Sequence, residues 1–307
     1  MVRKNRGQKE SEDYLMGVLL KDVVRRAIIT IRRERLGFTV FEKIHGENKS
    51  KDKRRDLTTS ADLAAQRLYI DVLKKSFPGY GIVAEEKNLS VNPKKGLVPE
   101  RHFTVDPLDG TRAFERRQSD GVGTMVALVA GRDKNSHIEA AWVGDVNTQE
   151  MYGYSGEKSD VYRVHDFFEE EKLSVNTKKK LSEQYAISRV PIEKLTNPFR
   201  ELFSRHLFRS YHITNGSIGT TMARLWKGEV GGYILSPNYI EPWDEAPIWG
   251  ISKKLGFVFL KWDDKKNNFI EEDWQFRKKT YGRPYELLVI HKANVAALKK
   301  AIKSLKK

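Results

Sequence analysis

Acidic residues mark the ends of predicted strands and helices at three separate places in the chain. Glu85 and Glu86 follow one apolar run, Asp106 and Asp109 follow a second, and Asp244 precedes a helical pattern. Carboxylates that lie close together repel one another and raise one another's pKa unless a cation lies between them. A hard divalent cation such as Mg²⁺ binds such oxygen ligands together with water and phosphate. If the three places meet in the fold, they predict a magnesium site.

The segment Asp106-Pro107-Leu108-Asp109 carries the strongest of these signals. A predicted strand ends at Asp106, Pro107 stiffens the turn, and Asp109 returns beside its partner. The backbone carbonyl of Leu108 lies in the same turn and can also ligate a cation. This short segment therefore supplies three of the expected metal ligands.

The residues that follow this turn predict an anion-binding position. Gly110 allows the chain to approach an anion closely. The amides of Gly110 and Thr111 would point at phosphate oxygens if a helix begins there. Arg112, Arg116 and Arg117 add positive charge nearby. A phosphate ester is the ligand that suits both the cation and these groups.

Each acidic place also has a purely structural explanation. Asp-Pro-x-Asp-Gly is an ordinary turn sequence, and Glu85-Glu86 is typical of a solvated strand end. Asp244 could cap a helix N-terminus. Three such places in a chain with a formal net charge of +15 favour one shared site over three coincidences.

The elements around these acids indicate a mixed α/β fold. Residues 12–35 have apolar positions near a 3.6-residue period and predict an amphipathic helix. Thr59 and Ser60 can cap a second helix, with Asp62 in its first turn. A strand-rich region predicts an antiparallel or mixed sheet, with strands at 81–84, 102–105, 123–129, 137–143 and 150–154.

From residue 185 the pattern changes to alternating strands and helices, which is typical of an α/β layer. The predicted strands are 185–188, 207–213, 232–235, 257–261 and 286–291, and the predicted helices are 192–204, 219–227, 244–255 and the C-terminal residues. We predict an N-terminal α+β metal-binding half, residues 1–183. A C-terminal α/β half, residues 184–307, completes the active site between them.

Composition narrows the class of protein. The 307 residues are 39% hydrophobic and include no cysteine, which excludes disulfides, a thiolate nucleophile and cysteine-ligated zinc. No run reaches the roughly 20 apolar residues of a membrane span, and no secretory signal is legible. We expect a cytoplasmic enzyme with no membrane partner.

The positive charge is consistent with several anionic partners. Nucleic acid is one of them, but no known binding module is legible and most basic residues are interleaved with acids. The densest basic run, residues 49–55, lies in an aperiodic stretch, 42–55, that predicts a loop. We expect a small phosphorylated metabolite as partner and do not expect nucleic acid.

The chain resembles the inositol monophosphatase superfamily, the magnesium-dependent, lithium-sensitive sugar and nucleotide phosphatases. The resemblance extends from about residue 56 to about residue 257. It rests on five motifs in the family's order, which are Asp56 to Asp62, Ala84-Glu85-Glu86, Asp106 to Thr111, Ser217 to Thr221 and Trp243-Asp244.

The resemblance implies a role for each matching residue. The implied metal ligands for Mg²⁺ are Glu85, Asp106, the Leu108 carbonyl, Asp109 and Asp244. Glu86 would orient water near the metal, and Asp62 with Thr111 would position and activate the nucleophilic water. The implied substrate-binding residues are Gly110, Thr111, Arg112, Ser217 and Thr221.

The family also implies the fold and the activity. The expected architecture is the five-layered α-β-α-β-α sandwich of sugar phosphatases, and a homodimer is common in the family. The expected activity is hydrolysis of an inositol phosphate, a nucleotide 3′-phosphate or histidinol phosphate by direct attack of metal-activated water. The alternative is a non-catalytic protein that binds phosphorylated ligands or RNA through its basic surface.

Two departures from the family pattern limit the prediction of substrate. Residues Glu245-Ala246-Pro247 replace a small-residue pair after Trp243-Asp244. The glutamate that holds sugar hydroxyls in inositol phosphatases has no clear counterpart among residues 235–241. The resemblance therefore does not extend to inositol specificity.

Overall fold

A computed structural model describes residues 6–43, 57–156, 158–166 and 168–303. Most of the predicted basic loop, together with Asp56 of the first family motif, lies outside the described residues. Within them, the chain forms seven α-helices and eighteen strands. The helices are α1 (Arg6–Glu34), α2 (Ser60–Ser76), α3 (Thr111–Glu115), α4 (Asn197–Ser204), α5 (Ile218–Trp226), α6 (Pro242–Lys254) and α7 (Val295–Lys303).

The strands are short apart from those at the centre of the first sheet. They are β1 (Val40–Glu42), β2 (Leu57–Thr59), β3 (Gly81–Ala84), β4 (Leu89–Val91), β5 (Arg101–Asp109), β6 (Gly123–Ala130), β7 (His137–Asp145), β8 (Met151–Ser155), β9 (Tyr162–His165), β10 (Glu169–Lys172), β11 (Tyr185–Ser188), β12 (Ser210–Ile213), β13 (Gly232–Leu235), β14 (Asn238–Ile240), β15 (Phe257–Asp263), β16 (Asn268–Glu271), β17 (Tyr281–Arg283) and β18 (Leu287–His291).

The strands form two large mixed sheets. The first has the order β10-β9-β8-β7-β6-β5-β3-β4, and only its β3–β5 pair is parallel. The second has the order β12-β11-β13-β18-β15-β16, with parallel pairing of β11 to both β12 and β13. Two small ribbons, β1–β2 and β14–β17, stand beside them. The predicted mixed sheet in the first half is therefore present.

Helices cover both faces of each large sheet. Helices α1 and α2 pack on the outer face of the first sheet. Helices α5 and α6 lie between the two sheets and contact both of them. Helices α4 and α7 cover the outer face of the second sheet. This is the α-β-α-β-α arrangement, and the predicted five-layered sandwich is confirmed.

The start of α2 shows how local sequence fixes an element near the site. Thr59 is in extended conformation, and its side chain accepts a hydrogen bond from the amide of Asp62. The Asp62 carboxylate in turn accepts from the amide of Thr59, which completes a capping box. Ala61, Ala65 and Tyr69 follow along the helix and are buried. The same cap that starts the helix therefore fixes the Asp62 side chain.

One predicted helix is shorter than expected. Residues 192–204 predict a single helix, but the structure has a 3₁₀ turn at Ile192–Lys194 and begins α4 at Asn197. Pro198 has no amide hydrogen and is accommodated in the first turn of a helix but not in its interior. The proline therefore sets where α4 can begin.

Candidate active site

Strand β5 delivers Asp106 and Asp109 to one end of the first sheet. All of its residues after Arg101 are buried, and its pairing with β6 shifts register between Asp106 and Asp109. The segment predicted as a free turn is therefore a bulged strand end. A bulge redirects side chains at the edge of an active site. Here the Asp106 Oδ1 atom also accepts a hydrogen bond from the Leu108 amide at 3.0 Å.

Asp109 joins this strand end to helix α5. The amide of Ile218 donates to Asp109 Oδ1 at 3.1 Å, and the amide of Gly219 donates to Oδ2 at 2.8 Å. The Ser217 hydroxyl donates to the same Oδ2 atom. A buried carboxylate at a helix start satisfies amides that have no partner within the helix. These bonds fix the Asp109 side chain.

Asp244 completes an acidic cluster from the second half of the chain. It lies in the first turn of α6, where Glu241 occupies the N-cap position without a capping side-chain bond. Asp244 is therefore not the helix cap that its position could also indicate. Carboxylate oxygens of Asp106, Asp109 and Asp244 all lie within 4.8 Å of one another.

The electrostatics of this cluster favour either protonation of its carboxyl groups or a bound cation. Burial raises the pKa of Asp106 well above its ordinary value, and the nearby charges of Glu85 and Asp109 raise it further. Burial likewise raises the pKa of Asp244, with a further rise from the charge of Glu241. For Asp109 burial raises the pKa, whereas the bond from Ser217 opposes the rise. The donors are hard oxygens, which is the set that Mg²⁺ prefers.

Glu85 and Glu86 lie beside the cluster and contact a lysine. Lys43 Nζ is 2.7 Å from Glu85 Oε1 and 3.0 Å from Glu86 Oε1. Burial raises the pKa of Glu85, and the charge of Lys43 opposes that rise. The Gln66 side chain bonds both the amide and the carbonyl of Glu86 at 2.9 Å. Lys43 is not evident as a site residue from the sequence, because it lies in an aperiodic basic stretch far from the acids.

Asp62 and Thr111 form the pair that the motifs predict. Thr111 Oγ1 lies 3.1 Å from Asp62 Oδ1 and 3.2 Å from the Leu108 carbonyl oxygen. Asp62 is fully buried, and burial raises its pKa to about 7, opposed by the bond from Thr59. The pair therefore links the cap of α2 to the bulged end of β5.

Three glycines allow the loops around this site to pack closely. Gly110, Gly121 and Gly216 all have positive φ, in the region that favours glycine. A Cβ atom on Gly110 would lie 2.2 Å from the carbonyl oxygen of Gly121. The close approach predicted for Gly110 is thus an approach to neighbouring backbone. Helix α3 begins at Thr111.

A large cleft adjoins the acidic cluster and has a volume of about 1340 Å³. Asp109 and Asp244 line it, together with Gly110, Thr111 and Arg112. The predicted substrate-binding positions 110–112 therefore face open space beside the cluster. Pockets of about 300–1,000 Å³ are typical for small ligands, so this cleft accommodates more than a single phosphate.

Ser217 and Thr221 have a different environment from the one predicted. Both are buried and neither lines the cleft. Ser217 Oγ is bonded to Asp109 and to the amide of Thr220, and Thr221 Oγ1 donates to the Ser217 carbonyl at 2.8 Å. Both hydroxyls therefore form hydrogen bonds at the N-terminus of α5. The neighbouring residues Gly216 and Ile218 line the cleft in their place.

Other cleft residues were not identified from the sequence. Arg189, Lys194 and Arg283 line the wall formed by the second half of the chain. Arg189 directly follows β11, which pairs in parallel with two strands. Residues just beyond the carboxyl ends of such strands commonly line binding crevices. The position of Arg189 directly after such a strand is the sequence signal that could have identified it as a cleft residue.

Comparison with known proteins agrees with this geometry. The model of the inositol monophosphatase family matches residues 18–304. The chain belongs to the inositol monophosphatase family. It is 24% identical to the inositol-1-monophosphatase of Bacillus subtilis (strain 168) over 230 residues, which are 72% of this chain and 78% of that protein.

Two further comparisons give a partial sequence match and a structural match. A segment of 97 residues is 31% identical to Nus factor SuhB of Salmonella typhimurium (strain LT2), covering 32% of this chain and 33% of that protein. The solved structure of an IMPase/NADP phosphatase with Mg²⁺ and phosphate superposes with a TM-score of 0.65 and 19% identity, covering 95% of each chain. That likeness shows a shared fold.

The structure also bears on membrane association. Among the helices of the described ranges, none has the length and apolar character needed to cross a bilayer.

Proposed function

We propose that this family member is a Mg²⁺-dependent phosphomonoesterase that acts on a small phosphorylated metabolite. One observation carries the proposal, namely the convergence of Asp106, Asp109 and Asp244 within 4.8 Å beside an open cleft. Two buried carboxylates and a half-buried one at that distance repel one another when ionised, and a cation relieves that repulsion. The nearby Asp62–Thr111 pair supplies groups that can handle a proton.

The residues present fit a magnesium site. Asp106, Asp109 and Asp244 would hold the ion, and we assign Glu85 and the Leu108 carbonyl as further ligands. When bound, Mg²⁺ polarises phosphate oxygens and lowers the pKa of a coordinated water. All the proposed protein ligands are oxygens, which distinguishes this set from the nitrogen and sulfur ligands typical of zinc.

Thr111 and Asp62 are suited to orient an attacking water. When the Thr111 hydroxyl donates to ionised Asp62 Oδ1, its lone pairs can accept a hydrogen bond from a water in the cleft. Asp62 is held for this task because its Oδ2 atom accepts from the Thr59 amide at 2.7 Å. Orientation of this kind raises a rate by removing the entropy cost of alignment.

Direct hydrolysis suits this chain better than a covalent phosphoenzyme. The chain contains no cysteine. Asp109 accepts hydrogen bonds from Ser217, Ile218 and Gly219, so it is poorly placed to act as a nucleophile. We therefore assign bond cleavage to attack by water on phosphorus, with departure of the alcohol as leaving group.

The competing proposal is a binding protein without catalysis. The formal net charge of +15 would serve such a protein in holding a phosphorylated ligand or RNA. The two proposals differ in whether Asp62 and Thr111 are needed. Both residues are needed for hydrolysis, whereas electrostatic binding depends on the basic residues and weakens steeply with salt.

Phosphate release distinguishes these proposals. The substrates are inositol 1-phosphate, adenosine 3′,5′-bisphosphate, histidinol phosphate, fructose 1,6-bisphosphate and an aryl phosphate, each with Mg²⁺ and with EDTA. Turnover should require Mg²⁺ and be lost in Asp244→Asn and Thr111→Ala. Asp71→Asn, on an exposed position of α2, is the matched control. Failure of all the substrates with folded, Mg²⁺-binding protein would refute hydrolysis of these classes.

A further inference from the structure

A second cavity lies beside the C-terminal half of helix α6. Its volume of about 550 Å³ is within the range typical of small-ligand pockets. Its walls come from the start of β7, from β8, from α6 and from the segment that follows β16. Trp249 on α6 lines both this cavity and the cleft, whereas none of the proposed metal ligands lines the cavity. The cavity is therefore separate from the acidic cluster but shares a helix with Asp244.

Three aromatic side chains line this cavity, namely Tyr154, Trp249 and Trp274. The ring of Trp249 is stacked on Phe259, with ring centroids 3.8 Å apart. Lys254 Nζ lies 4.8 Å from the centroid of the Tyr154 ring. Across the described residues, the Trp274 ring has neither a stacked ring nor a cation against it, and it is half-buried. Trp274 therefore offers an aromatic face to a ligand.

The segment that carries Trp274 is held on both sides. Glu272 Oε1 accepts a hydrogen bond from the Tyr285 hydroxyl at 2.9 Å. The Phe276 amide donates to Ser136 Oγ at 2.8 Å, and Trp274 itself packs against the central core. A surface that is fixed before a ligand arrives loses little conformational entropy on binding. The aromatic wall is thus formed in advance.

The lysines and the aspartate of the wall differ in their contacts. Lys253 forms an ion pair with Glu271, and Lys254 Nζ donates to the Ser159 carbonyl at 2.8 Å. The Asp273 side chain is exposed, and within the described ranges it has no ion pair or hydrogen bond. The cavity therefore offers a carboxylate acceptor, while both ammonium groups are already engaged.

We infer that this cavity binds a small, flat, uncharged heteroaromatic molecule with an N–H donor, such as a purine base. Its ring stacks on Trp274, and its N–H group donates to Asp273. Offset stacking on an aromatic side chain suits a flat ring. Asp273 would repel an anionic ligand, and the two nearby ammonium groups disfavour a cationic one. The inference is independent of the proposed phosphatase activity.

The fluorescent base 2-aminopurine is a direct probe, because stacking on an aromatic ring quenches its emission. The full chain is titrated into the probe, and saturable quenching gives Kd. We expect a Kd of about 1 mM or below, as is usual for a ligand of about ten non-hydrogen atoms. Adenine should displace the probe. Its N6,N6,9-trimethyl derivative, which has the same ring but no N–H group, should compete severalfold more weakly.

Two variants separate the stacked ring from the acceptor. Trp274→Leu keeps an apolar side chain and should weaken binding of the probe by about fivefold or more. Trp262→Leu is the matched control, because Trp262 is also half-buried but lines neither cavity, and it should leave binding unchanged. Asp273→Ala should remove the preference for adenine over its trimethyl derivative.

Three results would overturn the inference. They are the absence of saturable quenching, a Kd that is unchanged in Trp274→Leu, and equal competition by the two purines in the wild type. If Trp274→Leu does not fold, Asp273→Ala at its exposed position still gives the test, because an unchanged competitor ratio in that variant would also overturn the inference. None of these measurements requires phosphate release, so failure of the proposed function leaves the test intact.

Discussion

Lys43 Nζ lies 2.7 Å from Glu85 Oε1, so an ammonium group of the protein occupies one side of the acidic site. The same nitrogen is 3.0 Å from Glu86 Oε1. Lys43 directly follows β1, and the ion pair connects the β1–β2 ribbon to the end of β3. A positive charge at this position competes with a divalent cation for the same carboxylates.

Removal of that charge should therefore strengthen metal binding. We expect Lys43→Met to bind Mg²⁺ or Mn²⁺ severalfold more tightly, because Glu85 and Glu86 lose their internal counter-charge. Titration calorimetry on metal-free protein measures this directly. Lys74→Met, at an exposed position near the end of α2, is the control. Weaker binding in Lys43→Met would instead mean that Lys43 holds Glu85 in the orientation that ligates the ion.

Burial of Asp62 should make stability depend on pH. Its pKa is raised from 3.8 to about 7 in the folded protein, so the folded state binds a proton that the unfolded state releases. The free energy of unfolding of metal-free protein should therefore fall as pH rises from about 4 to about 7. The contribution of this one group has an upper bound of about 4 kcal/mol.

Asp62→Asn isolates that contribution, since the amide oxygen can still accept from the Thr59 amide. Urea unfolding of metal-free protein at several pH values measures it. The stability of the variant relative to the wild type should increase between pH 4 and pH 7. Parallel pH profiles for the two proteins would show that Asp62 titrates near its ordinary value.

Mg²⁺ should stabilise the folded protein because its proposed ligands come from distant parts of the chain. Asp106 and Asp109 end β5 of the first sheet, and Asp244 begins α6 between the sheets. At a concentration 100 times the Kd, we expect a rise in Tm of about 3–6 °C. Calorimetric melting with Mg²⁺ and with EDTA tests this, and Asp244→Asn should abolish the difference.

The Gly110 position should tolerate no side chain. Its φ is +91°, and a Cβ atom would lie 2.2 Å from the Gly121 carbonyl oxygen. We expect Gly110→Ala to cost about 3 kcal/mol or more in unfolding free energy and to weaken metal binding. Gly228→Ala is the matched control, because Gly228 has φ of +79° but no atom within 4 Å of its Cβ position. That variant should lose only about 1 kcal/mol.

Much of the acidic site is predictable because its signals are local. The bulged segment from Asp106 to Thr111 contains two carboxylates, a carbonyl, a glycine and a hydroxyl in six consecutive residues. The cap that fixes Asp62 is likewise contained within residues 59–62. Hydrogen bonds between residues this close in the chain can be predicted from the sequence. The family pattern adds the order in which the motifs occur along the chain.

The remaining features depend on contacts between distant residues. Lys43 reaches Glu85 across 42 positions, and its neighbourhood depends on the path of a ribbon with exposed side chains. Ser217 and Thr221 are predicted to contact substrate. The sequence does not reveal that Asp109 accepts hydrogen bonds from the Ser217 hydroxyl and from the first amides of α5. Strands such as β10, with the sequence Glu169-Glu170-Glu171-Lys172, are exposed throughout and show no alternation of polar and apolar residues.

Asp109 bonds the first residues of α5 and also faces the proposed ion, so one carboxylate serves folding and chemistry together. A related protein that had lost catalytic activity would still need this aspartate at the start of α5. Selection for a stable fold would then preserve the Asp-Gly-Thr signature long after turnover had disappeared. The presence of Asp109 in a distant relative is therefore weak evidence that the relative is an enzyme. Within the described ranges, Asp244 accepts no such bonds from amides at a helix start, so its loss would record that change.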